Sequence, residues 1–113
     1  MDSETSLQER RNKCRFPVRL PTTFSGPGVC MQGIGVIRDL SLEGCCIEAP
    51  ASLHPSLLME LRIYIPGQEY SLVIDGAKVQ WVGAQALGLN FLRIANEQQR
   101  HLKDFIEQLD ARN

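Results

Sequence analysis

The segment that organises the chain is residues 38–44, which read RDLSLEG. An apolar segment rich in β-branched residues, 29–37, comes before it, and the apolar residues 45–47 follow it at once. A short polar stretch between two such segments predicts a turn that joins two β-strands. We therefore expect this turn at the rim of a β-barrel or β-sandwich.

Three residues of this turn suit a ligand that carries both a purine edge and a phosphate. Asp39 can accept two hydrogen bonds side by side, Ser41 can donate to an anionic oxygen, and Gly44 lets a flat ligand approach the backbone. None of these functions needs a catalytic group. The turn is therefore a candidate binding site.

Basic residues are concentrated just before the first predicted strand. The segment 9–19 contains five basic residues and one acidic residue, although the whole chain has a net charge of −1. Such a segment is either a solvated basic tail or an anion-binding site. Arginine suits the second role because its planar guanidinium binds phosphate bidentately and stacks on purines. The overall charge argues against general nucleic-acid binding.

Two motifs, in this order along the chain, resemble the PilZ domain family. One is RxxxR from Arg11 to Arg15, and the other is DxSxxG at Asp39, Ser41 and Gly44. PilZ domains are bacterial receptor modules for the second messenger cyclic di-GMP. The resemblance covers nearly the whole chain, and it implies that cyclic di-GMP is the ligand.

The resemblance also implies a role for each candidate residue. Arg11 and Arg15 would stack on guanine and grip phosphate, with Arg10 assisting. Within the turn, the aspartate would read the guanine edge, the serine would contact a phosphate, and the glycine would leave room for the base. No further cofactor and no metal ion is implied.

The rest of the chain predicts a six-stranded antiparallel β-barrel. The first strand begins with the alternating residues 16–20, and residues 57–65 alternate with a clear period of two. Residues 70–82 alternate as well, with a bulge predicted at Gly76, and a last strand covers residues 87–91. Closure of these strands into a barrel would leave no unpaired edge.

The phase of the strand over residues 70–82 also predicts which side chains are buried. Val73, Ala77, Val79 and Trp81 share one phase, so we expect all four to point into the core. If Trp81 were exposed instead, it would be a platform on which a ligand could stack.

The period changes to that of a helix near the C-terminus. Apolar residues recur there at i, i+3, i+4 and i+7, which predicts an amphipathic helix over about residues 96–110 that packs on the barrel. These residues are Leu102, Phe105, Ile106 and Leu109. The predicted organisation is a flexible basic segment, 1–14, followed by a single domain, 15–113.

Several classes of function do not fit the composition. The four cysteines have neither metal-ligand nor redox spacing, so we expect reduced and mostly buried thiols. The two histidines are not paired in sequence with a nucleophile, so an enzyme is not expected. The chain has no apolar run of about 18 residues and no secretory signal, which predicts a cytoplasmic protein without membrane insertion.

The expected function is therefore that of a cyclic di-GMP receptor. The basic segment, residues 1–14, which we call the N-terminal arginine segment, would change conformation on binding. It would signal in this way to an unidentified protein in motility, polysaccharide or enzyme control. One alternative is a PilZ-like adaptor that binds no nucleotide, although the intact motif residues argue against it. The other is an oligonucleotide-binding barrel, whose grooves usually carry several exposed aromatic residues. Aromatic residues make up only 6% of this chain, and most fall in core phase.

Overall fold

The computed structural model describes residues 15–26, 32–49 and 57–112 of the chain. The predicted basic segment 1–14 lies outside the described residues, and so do residues 27–31 and 50–56. Over the described ranges the chain forms six strands and one helix. They are β1 (Phe16–Ser25), β2 (Gln32–Leu40), β3 (Gly44–Glu48), β4 (Leu58–Tyr64), β5 (Ser71–Val82), β6 (Ala86–Arg93) and α1 (Asn96–Arg112).

The strands close into a barrel in the order β1-β2-β3-β6-β5-β4. Every pair of neighbours is antiparallel, and β1 closes the barrel by pairing with both β2 and β4. Closure satisfies the backbone hydrogen bonds of strands that would otherwise be edges. The predicted six-stranded antiparallel barrel with a C-terminal helix is confirmed.

The alternation of side chains along the strands produces the core. In β4, Met59, Leu61 and Ile63 point inward and are buried, whereas the alternate residues Arg62 and Tyr64 are exposed. Burial of each large apolar side chain contributes about 1.5–3 kcal/mol to stability. The apolar side chains with no exposed surface are Ile37, Leu40, Cys45, Ile47, Leu61, Ile63, Leu72, Ile74, Ala77, Val79 and Leu87.

The bulge predicted at Gly76 is present, and it changes the side-chain phase of β5. Relative to β4, the register shifts between Ile74, which pairs with Leu61, and Ala77, which pairs with Met59, so β5 contains one extra residue there. Before the shift, Leu72 and Ile74 point into the core and Val73 does not, whereas after it Ala77 is buried. The predicted core position of Val73 is therefore wrong, because an extra residue in a strand moves all later side chains to the opposite face.

A second bulge in β5 turns Trp81 outward. Relative to β6, the register shifts between Val79 and Trp81, where β5 again contains one extra residue. Val79 is therefore fully buried, while Trp81 is 47% exposed. The predicted core position of Trp81 is wrong for the same reason as that of Val73. The indole lies on the outer surface of the barrel.

Helix α1 packs against β1 and β5, as its apolar stripe predicts. Leu102 and Ile106 are buried and belong to the same core as the barrel residues. The side-chain oxygen of Gln98 accepts a hydrogen bond of 3.0 Å from the backbone N–H of Val73, which fixes the helix to β5. In the part of the chain that the structure describes, no helix has both the length and the apolar character needed to cross a membrane.

Candidate ligand-binding site

The turn between β2 and β3 is held by the side chain of Ser41. Its hydroxyl donates to the backbone oxygen of Gly44 at 3.1 Å and accepts from the N–H groups of Gly44 at 3.1 Å and Glu43 at 3.2 Å. A serine hydroxyl has one donor and two acceptor lone pairs, so this turn uses all of them. Ser41 is only 2% exposed. A contact between Ser41 and a phosphate stays a prediction, and it would require one of these bonds to open.

Gly44 is required by the packing of β3 against β6. A Cβ atom at this position would collide with the backbone oxygen of Leu89. The backbone N–H of Phe91, also in β6, donates to the oxygen of Glu43 at 2.7 Å and holds the turn against the same strand. The space that a side chain would need at Gly44 is therefore filled by the backbone of β6. The predicted contact of Gly44 with a base stays a prediction.

Arg15 and Asp39 bring the two sequence motifs together. Arg15 lies directly before β1, and Asp39 lies in β2, opposite Pro17 of β1. The Nη1 atom of Arg15 donates to Oδ1 of Asp39 at 2.6 Å. Their side chains are 48% and 27% exposed, so both groups remain accessible to a ligand. The other two predicted arginines, Arg10 and Arg11, lie outside the described residues.

Asp39 is one end of a row of outward-facing positions that crosses the barrel wall. Asp39 in β2 pairs with Cys46 in β3, Cys46 pairs with Gly88 in β6, and Gly88 pairs with Trp81 in β5. The two residues in the middle of this row are small. The row therefore forms a shallow floor between a carboxylate and an aromatic ring.

The indole of Trp81 lies directly on Gly88, because a Cβ atom at Gly88 would collide with the five-membered ring. Neighbouring strands are about 4.8 Å apart, so the indole over β6 is about 10 Å from Asp39 on β2. Only Gly88 itself indicates this contact in the sequence. A glycine within a strand indicates that another group approaches closely, but the strand register was needed to identify that group.

Cys46 lies in the middle of this floor and was not predicted as part of a site. It is 5% exposed but lies outside the barrel core, whereas its neighbour Cys45 points into the core. Burial raises the pKa of the Cys46 thiol, and the nearby charge of Asp39 raises it further. Burial also raises the pKa of Cys45, far above its ordinary value. Both thiols are therefore protonated at neutral pH, and both are free, as expected for reduced cysteines.

The sequence matches a known protein family over most of its length. The PilZ domain model matches residues 9–108, which include both arginines of RxxxR, the DxSxxG turn, the whole barrel and most of α1. A search of curated proteins returns no significant match.

Several solved structures share this fold. The PilZ domain of CeSA from a cellulose synthesizing bacterium is 19% identical, and its alignment has a TM-score of 0.69 and covers 87% of this chain and 99% of that chain. YcgR from Escherichia coli in complex with c-di-GMP is 19% identical, with a TM-score of 0.73 and coverage of 91% of this chain and 47% of that chain. The chain thus spans about half the length of YcgR.

A separate structure of the PilZ domain of YcgR with c-di-GMP is 17% identical, with a TM-score of 0.71, and the alignment covers 91% of this chain and 93% of that chain. At such low identities the similarity concerns the fold. The family match over residues 9–108 is independent of it and includes both motifs that Arg15 and Asp39 join. The chain therefore belongs to the PilZ domain family.

Proposed function

We propose that this chain is a receptor for cyclic di-GMP. The observation that carries the proposal is the contact of 2.6 Å between Arg15 and Asp39, which joins RxxxR and DxSxxG on one accessible surface. The two structures of YcgR with c-di-GMP support the choice of ligand, because their PilZ domains share this fold.

Arg15 and Asp39 have complementary chemistry for this ligand. The Asp39 carboxylate accepts the paired N–H donors on the guanine edge, and the Arg15 guanidinium binds a phosphate or stacks on a base. The two groups must separate to do this. An exposed ion pair contributes only about 0–1 kcal/mol, whereas hydrogen bonds to charged groups contribute about 1.5–3 kcal/mol, so the exchange favours the ligand.

Trp81 extends the site across the floor of small residues. Its exposed indole provides a face on which a purine can stack, and stacking on an aromatic side chain contributes about 1–3 kcal/mol per base. Ser41 and Gly44 hold the turn that presents Asp39. Any direct contact of Ser41 with phosphate, or of Gly44 with the base, adds to that role.

Arg10 and Arg11 supply the remaining positive charge. The described site is nearly neutral because the charge of Arg15 is matched by that of Asp39. A ligand with two phosphates therefore draws the N-terminal arginine segment onto the site, and this change creates a surface for a downstream protein. In this proposal the chain is a cytoplasmic receptor that acts without catalysis.

Calorimetric titration of the full chain with cyclic di-GMP, and separately with single-stranded RNA, tests the proposal. We expect saturable binding of cyclic di-GMP with a Kd of about 1 μM, because ordering the arginine segment offsets part of the contact energy. The measured stoichiometry also tells whether one molecule or a stacked pair binds. Binding of RNA alone would favour an oligonucleotide-binding barrel, and binding of neither would favour a protein-interaction adaptor.

A further inference from the structure

A second groove, with a volume of about 570 Å³, lies beside the row from Asp39 to Trp81. Arg38 directly precedes Asp39 in β2, and Glu48 follows Cys46 by two residues in β3. Two residues along a strand correspond to about 7 Å, so the groove adjoins the floor of the candidate site. Its lining residues are Arg38, Glu48, Ala49, Gln85 and Ala86.

The wall of this groove is fixed by backbone hydrogen bonds. The N–H of Ala49 donates to the oxygen of Gln85 at 3.1 Å, which ties the β5–β6 turn to the end of β3. The N–H of Gly83 donates to the oxygen of Ala86 at 2.7 Å and closes that turn. The groove is therefore built from anchored backbone on the β3–β6 side.

Arg38 and Glu48 face each other in this groove as a loosely held pair. The Nε atom of Arg38 is 3.6 Å from Oε1 of Glu48, and the side chains are 53% and 44% exposed. This distance is longer than that of a normal N–H···O hydrogen bond, and exposed ion pairs contribute little to stability. The pair can thus open for a ligand at low cost.

The separated pair would match guanine on two edges. Guanine presents the acceptors O6 and N7, which a guanidinium binds bidentately, and it presents N–H donors that a carboxylate accepts. Adenine replaces the O6 acceptor with an N6 donor and lacks the N2 donor. An arginine and a carboxylate in one groove therefore distinguish guanine from adenine.

We propose that Arg38 and Glu48 form a second guanine-reading subsite, which receives the base of the cyclic dinucleotide that Asp39 does not hold. This inference rests on the proposed function, since it concerns the same ligand. The protein would then read both bases of the dinucleotide, one at the DxSxxG turn and one in the adjoining groove.

The test compares three ligands by calorimetry: cyclic di-GMP, cyclic GMP–AMP and cyclic di-AMP. We expect the wild-type chain to bind cyclic di-GMP about tenfold more tightly than cyclic GMP–AMP, as loss of one charged hydrogen bond would cause. Glu48→Gln should weaken binding of cyclic di-GMP by about tenfold and leave binding of cyclic GMP–AMP nearly unchanged. The preference between these two ligands would then disappear.

The pair Glu60 and Arg62 provides a matched control. Oε1 of Glu60 is 3.3 Å from Nε of Arg62, and the two side chains are 42% and 51% exposed, respectively. This pair lies on β4, away from the groove. Glu60→Gln should change neither the affinity nor the preference.

Three results would overturn the second subsite while leaving the receptor intact. The first is that the wild-type chain binds cyclic di-GMP and cyclic GMP–AMP with equal affinity. The others are that Glu48→Gln keeps the wild-type preference for cyclic di-GMP, or that its affinity falls by the same factor for both ligands. If the wild-type chain bound no cyclic di-GMP at all, the proposed function itself would fail, and the subsite would fail with it.

Discussion

The carboxylate of Asp39 has two possible partners. In the described structure it contacts Arg15 at 2.6 Å, and in the proposed complex it accepts the guanine donors instead. Arg15 is then free to bind a phosphate, which a guanidinium can grip bidentately. The contact between these two residues thus keeps both side chains at the site before the ligand arrives.

The first prediction concerns Arg15→Ala. Loss of a charged hydrogen bond costs about 1.5–3 kcal/mol, so the affinity for cyclic di-GMP should fall roughly tenfold to a hundredfold. The melting temperature without ligand should hardly change, because Arg15 is half-exposed and its ion pair contributes little. Calorimetry and thermal unfolding measure the two quantities. An unchanged affinity in a destabilised protein would mean that Arg15 is structural.

The second prediction concerns Asp39→Ala and the choice of base. Adenine lacks the paired donors of guanine, so it gains nothing from the carboxylate. The ratio of affinities for cyclic di-GMP and cyclic di-AMP should therefore fall by about tenfold in the variant. Titration of both ligands gives this ratio. If the two affinities decreased by the same factor, Asp39 would not read the base.

At the scale of elements, the two bulges in β5 decide where its side chains point. The first, between Ile74 and Ala77, keeps the second half of the strand in contact with the core. The second, between Val79 and Trp81, places the indole against Gly88 on the outer surface. Strand irregularity thus gives the site its aromatic surface.

The third prediction concerns this aromatic surface. Trp81→Ala should weaken binding of cyclic di-GMP by about fivefold to a hundredfold, because stacking on one base contributes about 1–3 kcal/mol. Trp81→Phe should retain most of the affinity. Trp81 is the only tryptophan in the chain, so quenching of its fluorescence also reports ligand contact directly.

Tyr64 provides the control for Trp81, since it is similarly exposed, at 43%, but lies on β4. Tyr64→Ala should leave the affinity unchanged. Equal effects of Trp81→Ala and Tyr64→Ala, or no quenching in the wild-type chain, would contradict stacking on Trp81.

Local patterns in the sequence predicted the strands and the helix well, but they did not predict which side chains of neighbouring strands meet on the outer surface. The period of two in β4, the helical stripe with Leu102 and Ile106, and the bulge at Gly76 are all local features, and all three predictions are confirmed. The exposure of Trp81 and the position of Cys46 depend on which residue lies opposite on the next strand. No local pattern fixes this register, particularly where a second bulge shifts it.

At the scale of the whole molecule, the buried thiols predict how stability depends on pH. In the unfolded chain both thiols lose their protons above their ordinary pKa of 9.0, whereas the raised pKa values of Cys45 and Cys46 keep them protonated in the folded chain. The unfolded state then binds fewer protons, so the free energy of unfolding falls as the pH rises above 9.

This fourth prediction is tested by urea denaturation between neutral pH and about pH 10.5. The slope above pH 9 should reach at most about 1.4 kcal/mol per pH unit for each thiol. Cys45→Ala should have a shallower slope than the wild-type chain, because one thiol is gone. An identical slope in the two proteins would show that other groups cause the loss of stability.

The central claim is that one ligand joins the N-terminal arginine segment to the turn at Asp39. In the proposed complex, Arg10 and Arg11 of this segment supply much of the positive charge that binds the two phosphates. Hydrogen exchange observes the segment and the turn in one experiment, with and without cyclic di-GMP. The Arg15→Ala variant, measured at the same ligand concentration, provides the reference for weakened binding.

We expect cyclic di-GMP to slow exchange in residues 10–15 and in residues 39–44 together, and to do so much less in Arg15→Ala. The barrel strands far from the site, such as β4, should exchange at the same rate with and without the ligand. Slower exchange confined to the barrel, with residues 10–15 unaffected at a saturating ligand concentration, would contradict the claim and leave the arginine segment as a solvated tail.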